Sequence, residues 1–166
     1  MKIALGADHR GYEVRVHVAE WLKQQEYEVV ELGPCTSQAC DYPDAAYPVA
    51  HAVAGGQCEF GILICGSGVG TCIAANKVEG VRAALIHDEI GAETSRSHND
   101  ANVLCLSADM LGHRIIDRIV QTWLMTKFQG GRHARRVQKI HMIEQGVDPT
   151  TIDDSSAVSD LTKRRQ

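Results

Sequence analysis

Short apolar runs alternate along this chain with longer segments of helical period, and this alternation constrains the fold more than any other feature. Runs rich in β-branched and apolar residues give five candidate strands: Lys2–Gly6, Glu28–Leu32, Phe60–Cys65, Val81–Ile86 and Asn102–Ser107. Between them, apolar residues recur at the spacing of an α-helix. Strands that alternate with helices form βαβ units, so the sequence predicts an α/β fold on a five-stranded parallel sheet.

The helical segments indicate one domain. The longest helix is expected at Met110–Lys127, whose wide apolar band is either covered within the subunit or pressed against another subunit. Further helices are expected at Val69–Lys77, at Ile90–Ser97 and from about His133 to Gln145. We therefore expect a single domain over residues 1–145 and a mobile, polar tail over residues 146–166.

Composition excludes several classes of protein. The 166 residues carry a net charge of −4, which argues against binding to nucleic acid or to a membrane surface. No apolar run approaches the ~20 residues that span a bilayer, and the N-terminus becomes charged too early for a signal peptide, so we expect a cytoplasmic protein. The six cysteines show no CxxC pair, which favours free thiols. Zinc has weak support, from Cys35 and Cys40 alone.

Candidate functional residues follow the predicted strands at their carboxyl ends, where ligands bind in open α/β sheets. Asp8 and His9 follow the first strand, Tyr42 lies in the loop after the second, and Cys65 ends the third. Next comes a segment that we call the glycine turn, with Gly66, Ser67, Gly68 and Gly70. It leads into a helix, whose first N–H groups suit an anion such as an enolate oxygen. Thr71 excludes a Cys-x5-Arg phosphatase loop, and no Walker A motif follows.

Each of these residues also has a purely structural interpretation. Cys65 is either a nucleophile or base, or a buried cysteine at a strand end. Asp8 also suits a helix cap, and His98 a helix C-terminus. Arg132 and Arg136 form either a solvated basic face or, with their i, i+4 spacing, a phosphate clamp. The acid, the histidine, the thiol and the glycine turn together favour chemistry.

Six motifs together resemble one known family: GADHRG at the N-terminus, DYP, ICGSGVG, ANK, SHNDANV and GGRH. From Met1 to about Gln145 the sequence resembles the type B ribose-5-phosphate isomerases, whose relatives act on allose and galactose 6-phosphates. The resemblance implies a Rossmann-like three-layer α/β/α sandwich, a dimer or tetramer, and a place in carbohydrate metabolism such as the pentose phosphate pathway. It implies no metal and no organic cofactor.

The resemblance also implies a role for each candidate residue in converting an aldose phosphate to a ketose phosphate through an enediol. Cys65 would move the proton between C2 and C1, and Ser67 with the amides of the glycine turn would hold the enediolate oxygens. His98, with Asn99 nearby, would assist ring opening. The implied substrate contacts are Asp8 for sugar hydroxyls, His9, Arg132 and Arg136 for the phosphate, and Tyr42 at the pocket edge.

One position departs from the family pattern. Asp109 stands where several relatives carry an arginine, so a carboxylate would either repel a phosphate or accept hydrogen bonds from sugar hydroxyls. The substrate is therefore open among ribose, allose, galactose and erythrose phosphates. The alternatives in other classes are a non-catalytic sugar-phosphate binding module and a cysteine-dependent hydrolase or transferase.

Chain direction predicts an active site shared between two subunits. Cys65 ends its strand, whereas His98 immediately precedes the fifth strand and so lies at the opposite edge of the sheet. Arg132 and Arg136 follow a helix that descends to that same opposite edge. If all of them serve one site, a two-fold partner must supply the second group. We expect a homodimer with two shared sites, possibly paired into a tetramer.

Overall fold

The computed structural model describes residues 1–34 and 36–151, and it confirms the predicted α/β architecture. Five parallel strands form one sheet in the order β2-β1-β3-β5-β4. The strands are β1 (Lys2–Ala7), β2 (Glu28–Glu31), β3 (Phe60–Cys65), β4 (Ala83–Leu85) and β5 (Val103–Ser107). The sheet order, with β5 inserted between β3 and β4, was not predicted from the sequence.

Helices cover both faces of this sheet. They are α1 (Tyr12–Gln24), α2 (Tyr42–Ala54), α3 (Val69–Ala75), α4 (Glu89–Ser97), α5 (His113–Met125) and α6 (Arg132–Glu144), followed by a 3-10 turn at Pro149–Thr151. One buried cluster joins α1, α4 and α5 to the sheet, and a second joins α2 and α3 to the other face. Successive strand residues alternate between the clusters: Ile62 and Ile64 belong to the first and Leu63 to the second. This is the expected three-layer sandwich.

The prediction of the longest helix at Met110–Lys127 was wrong in its bounds and its relative length, whereas its apolar band follows one of the two alternatives, cover within the subunit. Helix α5 begins at His113 and has 13 residues, the same length as α1, α2 and α6. Its apolar band is mostly covered by its own subunit, since Ile116 and Trp123 are fully buried. Only the outer part of the band is open, as at Ile115, which is 46% exposed.

Helix α6 is the element that stands apart from the body of the subunit. Among the described elements it packs mainly against the 3-10 turn that follows it. An open groove of about 1000 Å³ is lined both by Val137 of α6 and by Phe60 at the start of β3. The apolar side chains of Ile140 and Ile143 on α6, and of Val147 just after the helix, are exposed. The subunit therefore leaves the apolar face of α6 uncovered.

The strand register defines two edges of the sheet. Ala7 of β1 pairs with Ile64 of β3, and Cys65 of β3 pairs with Ser107 of β5. These residues mark the carboxyl edge, and the strand beginnings mark the amino edge. None of the helices in the described part of the chain is both long and apolar enough to cross a bilayer. Most of the predicted tail, residues 152–166, lies outside the described residues.

Candidate active site

At the carboxyl edge, Asp8 lies directly beside the strand that ends in Cys65. The Asp8 N–H donates to the Ile64 carbonyl oxygen at 3.2 Å, and the residue is 6% exposed. Asp8 Oδ1 accepts hydrogen bonds from the N–H groups of Arg10 (3.0 Å) and Gly11 (2.9 Å). These bonds hold the loop before α1, whose N-cap is Gly11 without a side-chain cap, so Asp8 is not the N-cap residue of that helix. The same bonds fix the carboxylate next to the end of β3.

The Cys65 thiol is buried at the start of α3. Its Sγ accepts a hydrogen bond from the Gly68 N–H at 3.1 Å and lies 3.5 Å from the hydroxyl oxygen of Thr71, which is fully buried. The Thr71 hydroxyl also donates to the Gly68 carbonyl oxygen at 3.1 Å. Gly68 adopts the left-handed conformation (φ 75°), and this turn directs its N–H at the sulfur. The Gly68 N–H therefore points at the Cys65 sulfur from the start of α3.

Two other glycines of the turn leave room for side chains from distant parts of the chain. A Cβ on Gly66 would lie 2.8 Å from Arg10 Nε and 2.8 Å from Asp109 Oδ2. A Cβ on Gly70 would lie 2.8 Å from two ring carbons of Tyr42. The structure thus brings Tyr42 against the glycine turn. The glycines allow this turn to be approached closely from both sides.

The amides of the glycine turn divide into two groups. The Gly68 N–H is used by Cys65, and the Val69 N–H donates to Ser67 Oγ at 3.3 Å. The amides of Gly66, Ser67, Gly70 and Thr71 make no hydrogen bond within residues 1–34 and 36–151. These four amides remain available for an oxyanion, and their role in binding one stays a prediction.

His9 lies on the other side of the β1 terminus. Its Nδ1 is 3.1 Å from the Cys40 carbonyl oxygen and 3.3 Å from the Cys40 amide nitrogen. The loop before α2 therefore fixes the ring of His9. Cys35, the other cysteine of this loop, lies outside the described residues. Among residues 1–34 and 36–151, no group of three His, Cys, Asp or Glu residues is arranged to hold a metal ion.

Arg10 and Asp109 belong to this edge, and the sequence interpretation missed their contact. Arg10 Nε and Nη2 both donate to Asp109 Oδ2, at 3.1 and 2.8 Å. The Asp109 N–H donates to the Gly66 carbonyl oxygen at 3.0 Å. Asp109 is thus neutralised by a cation from its own subunit. The opposite charges directly after β1 and β5 were a usable signal, but only once the strand order was known.

The second group of candidate residues lies at the amino edge. His98 caps the end of α4, and its ring stacks on that of His133 with centroids 4.1 Å apart and an interplanar angle of 3°. His133 lies in the first turn of α6 and is 5% exposed, whereas Arg132 and Arg136 are exposed. Burial, followed by the charges of His98, Arg132 and Arg136, lowers the pKa of His133. Asn99 is exposed beside His98.

The two groups do not meet within one subunit. Cys65 stands opposite Ser107, the last residue of β5, whereas His98 lies before Val103, the first. At a rise of about 3.3 Å per residue, β5 alone spans roughly 13 Å. That separation is far beyond hydrogen-bond reach. One chain therefore presents an acid, a thiol and the glycine turn at one edge, and a histidine pair with two arginines at the other.

Comparison with known proteins places this geometry in a family. The family model described as Ribose/Galactose Isomerase matches residues 3–140. The chain belongs to this family. A ribose-5-phosphate isomerase B from Clostridium thermocellum is 49% identical, with a TM-score of 0.87, over 88% of this chain and 99% of that one.

Two further relatives bear on the choice of substrate. A ribose-5-phosphate isomerase B from Mycoplasma genitalium, solved with bound ribulose-5-phosphate, is 44% identical over 87% of this chain and 96% of its own, with a TM-score of 0.84. A D-erythrulose-4-phosphate isomerase from Pectobacterium atrosepticum is 39% identical over 87% of this chain and 95% of its own length. Two relatives with comparable identity to this chain are thus named for different sugar phosphates.

This ribose/galactose isomerase also has a pair of thiols behind the site. A hydrogen bond with Cys105 lowers the pKa of the Cys72 thiol to about 7, and burial raises the pKa of the Cys105 thiol. Cys72 is partly exposed, and its sulfur also lies 3.5 Å from the Ala83 carbonyl oxygen. Of these two thiols, Cys72 in α3 therefore ionises more readily than Cys105 in β5.

Proposed function

We propose that this ribose/galactose isomerase converts ribose 5-phosphate to ribulose 5-phosphate through an enediol, with Cys65 as the base. The observation that carries the proposal is the donation of the Gly68 N–H to Cys65 Sγ at 3.1 Å, next to the buried Asp8. A sulfur held by a backbone donor, beside amides of the glycine turn that have no partner among the described residues, suits proton transfer next to a carbonyl. The bound product in the Mycoplasma genitalium relative agrees with this substrate.

The chemistry needs one base and one oxyanion site. The Cys65 thiolate removes the proton from C2 of the open-chain aldose, and the electron pair forms the C1–C2 double bond of the enediolate. The amides of Gly70 and Thr71, with the Ser67 hydroxyl, stabilise the negative oxygen. The Cys65 thiol then returns the proton to C1, while a proton moves from O2 to O1. Asp8 accepts a hydrogen bond from a sugar hydroxyl and keeps the sugar in place. Because every proton that leaves one atom of the sugar returns to another, no group is lost or gained.

The second part of the proposal is that each site is completed by a partner subunit. His98 would open the sugar ring, with Asn99 beside it, and Arg132 with Arg136 would bind the phosphate, all at the partner's amino edge. The strand-length separation and the uncovered apolar face of α6, which carries both arginines, support a homodimer. His9 would hold the phosphate from the subunit that supplies Cys65.

A coupled assay of ribose, allose, galactose and erythrose phosphates tests the reaction and its substrate. We expect Cys65→Ala to abolish both turnover and solvent exchange of the C2 proton while substrate still binds. The matched control is Cys58→Ala, because Cys58 is as buried as Cys65 but precedes β3 at the amino edge. Substantial turnover by Cys65→Ala removes Cys65 from the role of base.

Mixing two inactive variants tests the shared site. A dimer of Cys65→Ala with His98→Asn has one site with both defects and one with neither. Random exchange of equal amounts makes about half of the dimers mixed, so about a quarter of full activity returns. If subunit exchange is confirmed by mass and no activity returns, each subunit builds its own site.

The erythrose-type sugar phosphates are a second candidate class of substrate. The specific observations are the Pectobacterium atrosepticum relative and the presence of Asp109 at the site. If kcat/KM is higher for erythrose 4-phosphate than for ribose 5-phosphate, erythrose 4-phosphate replaces ribose 5-phosphate as the proposed substrate. No turnover of any of the four sugars would favour a non-catalytic binding module.

A further inference from the structure

An ion pair between Arg10 and Asp109 lies across the glycine turn, directly over Gly66. The guanidinium donates through Nε and Nη2 to one carboxylate oxygen, at 3.1 and 2.8 Å. Both side chains occupy the space that a Cβ on Gly66 would need. The pair therefore uses the missing side chain of Gly66 to lie against the backbone next to Cys65.

Both partners are held in place by the same edge of the sheet. The Arg10 N–H donates to Asp8 Oδ1 at 3.0 Å, and the Asp109 N–H donates to the Gly66 carbonyl oxygen at 3.0 Å. The Ser107 hydroxyl donates to that same carbonyl oxygen at 2.7 Å. Loops after β1, β3 and β5 thus hold the backbones of Arg10 and Asp109 in place, although the charged ends of both side chains are on the surface.

Stability does not account for this arrangement. The Arg10 and Asp109 side chains are 58% and 43% exposed, and ion pairs at that exposure contribute little to folding. Both bonds end on Asp109 Oδ2, so Arg10 Nη1 has no partner among the described residues. A guanidinium with one unused edge, lying against Gly66, the residue after Cys65, is suited to an oxyanion of the substrate.

We propose that Arg10 binds the phosphate of the substrate from the subunit that supplies Cys65, and that Asp109 is its positioning residue. The proposal rests on the proposed function, because it assigns a further contact to the same sugar phosphate. It also explains how a phosphate site can contain the Asp109 carboxylate. Arg10 cancels the charge of Asp109, and the N–H groups of Arg10 that Asp109 does not use face the phosphate. Arg10 and Asp109 together then determine how the phosphate end is held.

Two variants separate a phosphate contact from simple repulsion. Arg10→Ala leaves the Asp109 carboxylate uncompensated, so phosphate binding is lost through both the missing contact and the repulsion. The double variant Arg10→Ala/Asp109→Ala removes the repulsion and leaves only the missing contact. If Arg10 touches the phosphate, the double variant remains weaker than the wild type. If Arg10 only masks Asp109, the double variant returns to the wild type.

The measurement is the affinity of the full-length protein for inorganic phosphate by calorimetry, together with kcat and KM for the best sugar phosphate. We expect the affinity and 1/KM to fall at least ~10-fold in Arg10→Ala and about threefold or more in the double variant, with kcat little changed. The control is Arg118→Ala, because Arg118 is similarly exposed (65%) and paired with Glu89 on α4. Urea unfolding checks that each variant is folded.

Three results overturn the proposal: no phosphate binding by the wild type, a double variant within twofold of the wild type, or a loss of kcat with KM unchanged. The proposed function fails separately, when the wild type isomerises none of the sugar phosphates. In that case calorimetry with inorganic phosphate still decides whether Arg10 binds the anion.

Discussion

Replacing Gly68 with alanine tests how the glycine turn holds Cys65. Gly68 has φ 75° and ψ −15°, and its N–H donates to Cys65 Sγ at 3.1 Å. An added Cβ would lie 2.5 Å from Leu85 Cδ1 and 3.0 Å from the backbone carbonyl carbon and oxygen of Leu106. The carbonyl group belongs to a central strand and has no room to move. The methyl group would therefore displace the turn.

The expected loss of stability has two parts. The left-handed conformation costs a non-glycine residue about 1–2 kcal/mol. Overpacking against Leu85 and the Leu106 backbone adds about 1–3 kcal/mol. The free energy of unfolding should thus fall by about 2–5 kcal/mol in Gly68→Ala. Gly56→Ala is the matched control, because Gly56 has φ 70° and no atom within 4 Å of the position that a methyl group would take, so only the first part applies.

Urea unfolding of the full-length variants gives both values, and kcat at a temperature where both are folded gives the functional effect. We expect Gly68→Ala to lose substantially more stability than Gly56→Ala. Its kcat should also fall, because the donor to Cys65 moves with the turn. Equal stability losses in the two variants, or an unchanged kcat in Gly68→Ala, would refute this account of the turn.

Three further predictions concern single groups. The lowered pKa of His133 means that the folded protein binds fewer protons there than the unfolded chain, so stability falls as the pH drops below about 6.5. The variant His133→Gln should remove that part of the loss in urea unfolding at pH 7.5 and 5.5. Iodoacetamide at neutral pH should alkylate Cys72 before Cys105, as read by peptide mass spectrometry, because their pKa values are shifted in opposite directions. Ile143→Glu, on the uncovered face of α6, should dissociate the proposed dimer in sedimentation.

Each of these has its own contrary result. A steeper acid loss in His133→Gln contradicts the sign of the pKa shift, and alkylation of Cys105 first contradicts the assignment of the thiols. For α6 the control is Ile90→Glu, since Ile90 on α4 is 79% exposed. An unchanged mass for Ile143→Glu, or equal dissociation by both variants, shows that α6 is not the interface.

The glycine turn shows how far the sequence alone could predict the site. An apolar run, three glycines in five positions and a helical segment were enough to predict a strand, a turn and a helix at residues 60–77. What fills the space beside Gly66 and Gly70 could not be predicted. Arg10, Asp109 and Tyr42 reach the turn from other loops, and such contacts depend on the strand order, which periodicity does not contain.

The two last helices show a second limit of the sequence pattern. An apolar stripe predicts that a face is buried, but it does not tell which chain covers it. The wide band of α5 looked suited to an interface, yet Ile116 and Trp123 are buried within the subunit. Helix α6 has a weaker stripe, and the sequence interpretation assigned a role to its arginines but none to its apolar residues. It is nevertheless the helix whose apolar residues, such as Ile140 and Ile143, remain exposed.

The proposed ring-opening role of His98 can be isolated by the chemistry of the sugar. Ribose 5-phosphate closes into a ring through O4, whereas in erythrose 4-phosphate that oxygen carries the phosphate, so the sugar stays open. If His98 acts only in ring opening, His98→Asn should lower turnover of ribose 5-phosphate by the ~10²–10⁴-fold of a lost acid–base catalyst. Any turnover of erythrose 4-phosphate should be nearly unaffected. Cys65→Ala is the matched comparison, because removing the proton-transfer base abolishes both reactions. Equal losses on the two sugars in His98→Asn would mean that His98 acts in proton transfer or only supports the stacked ring of His133.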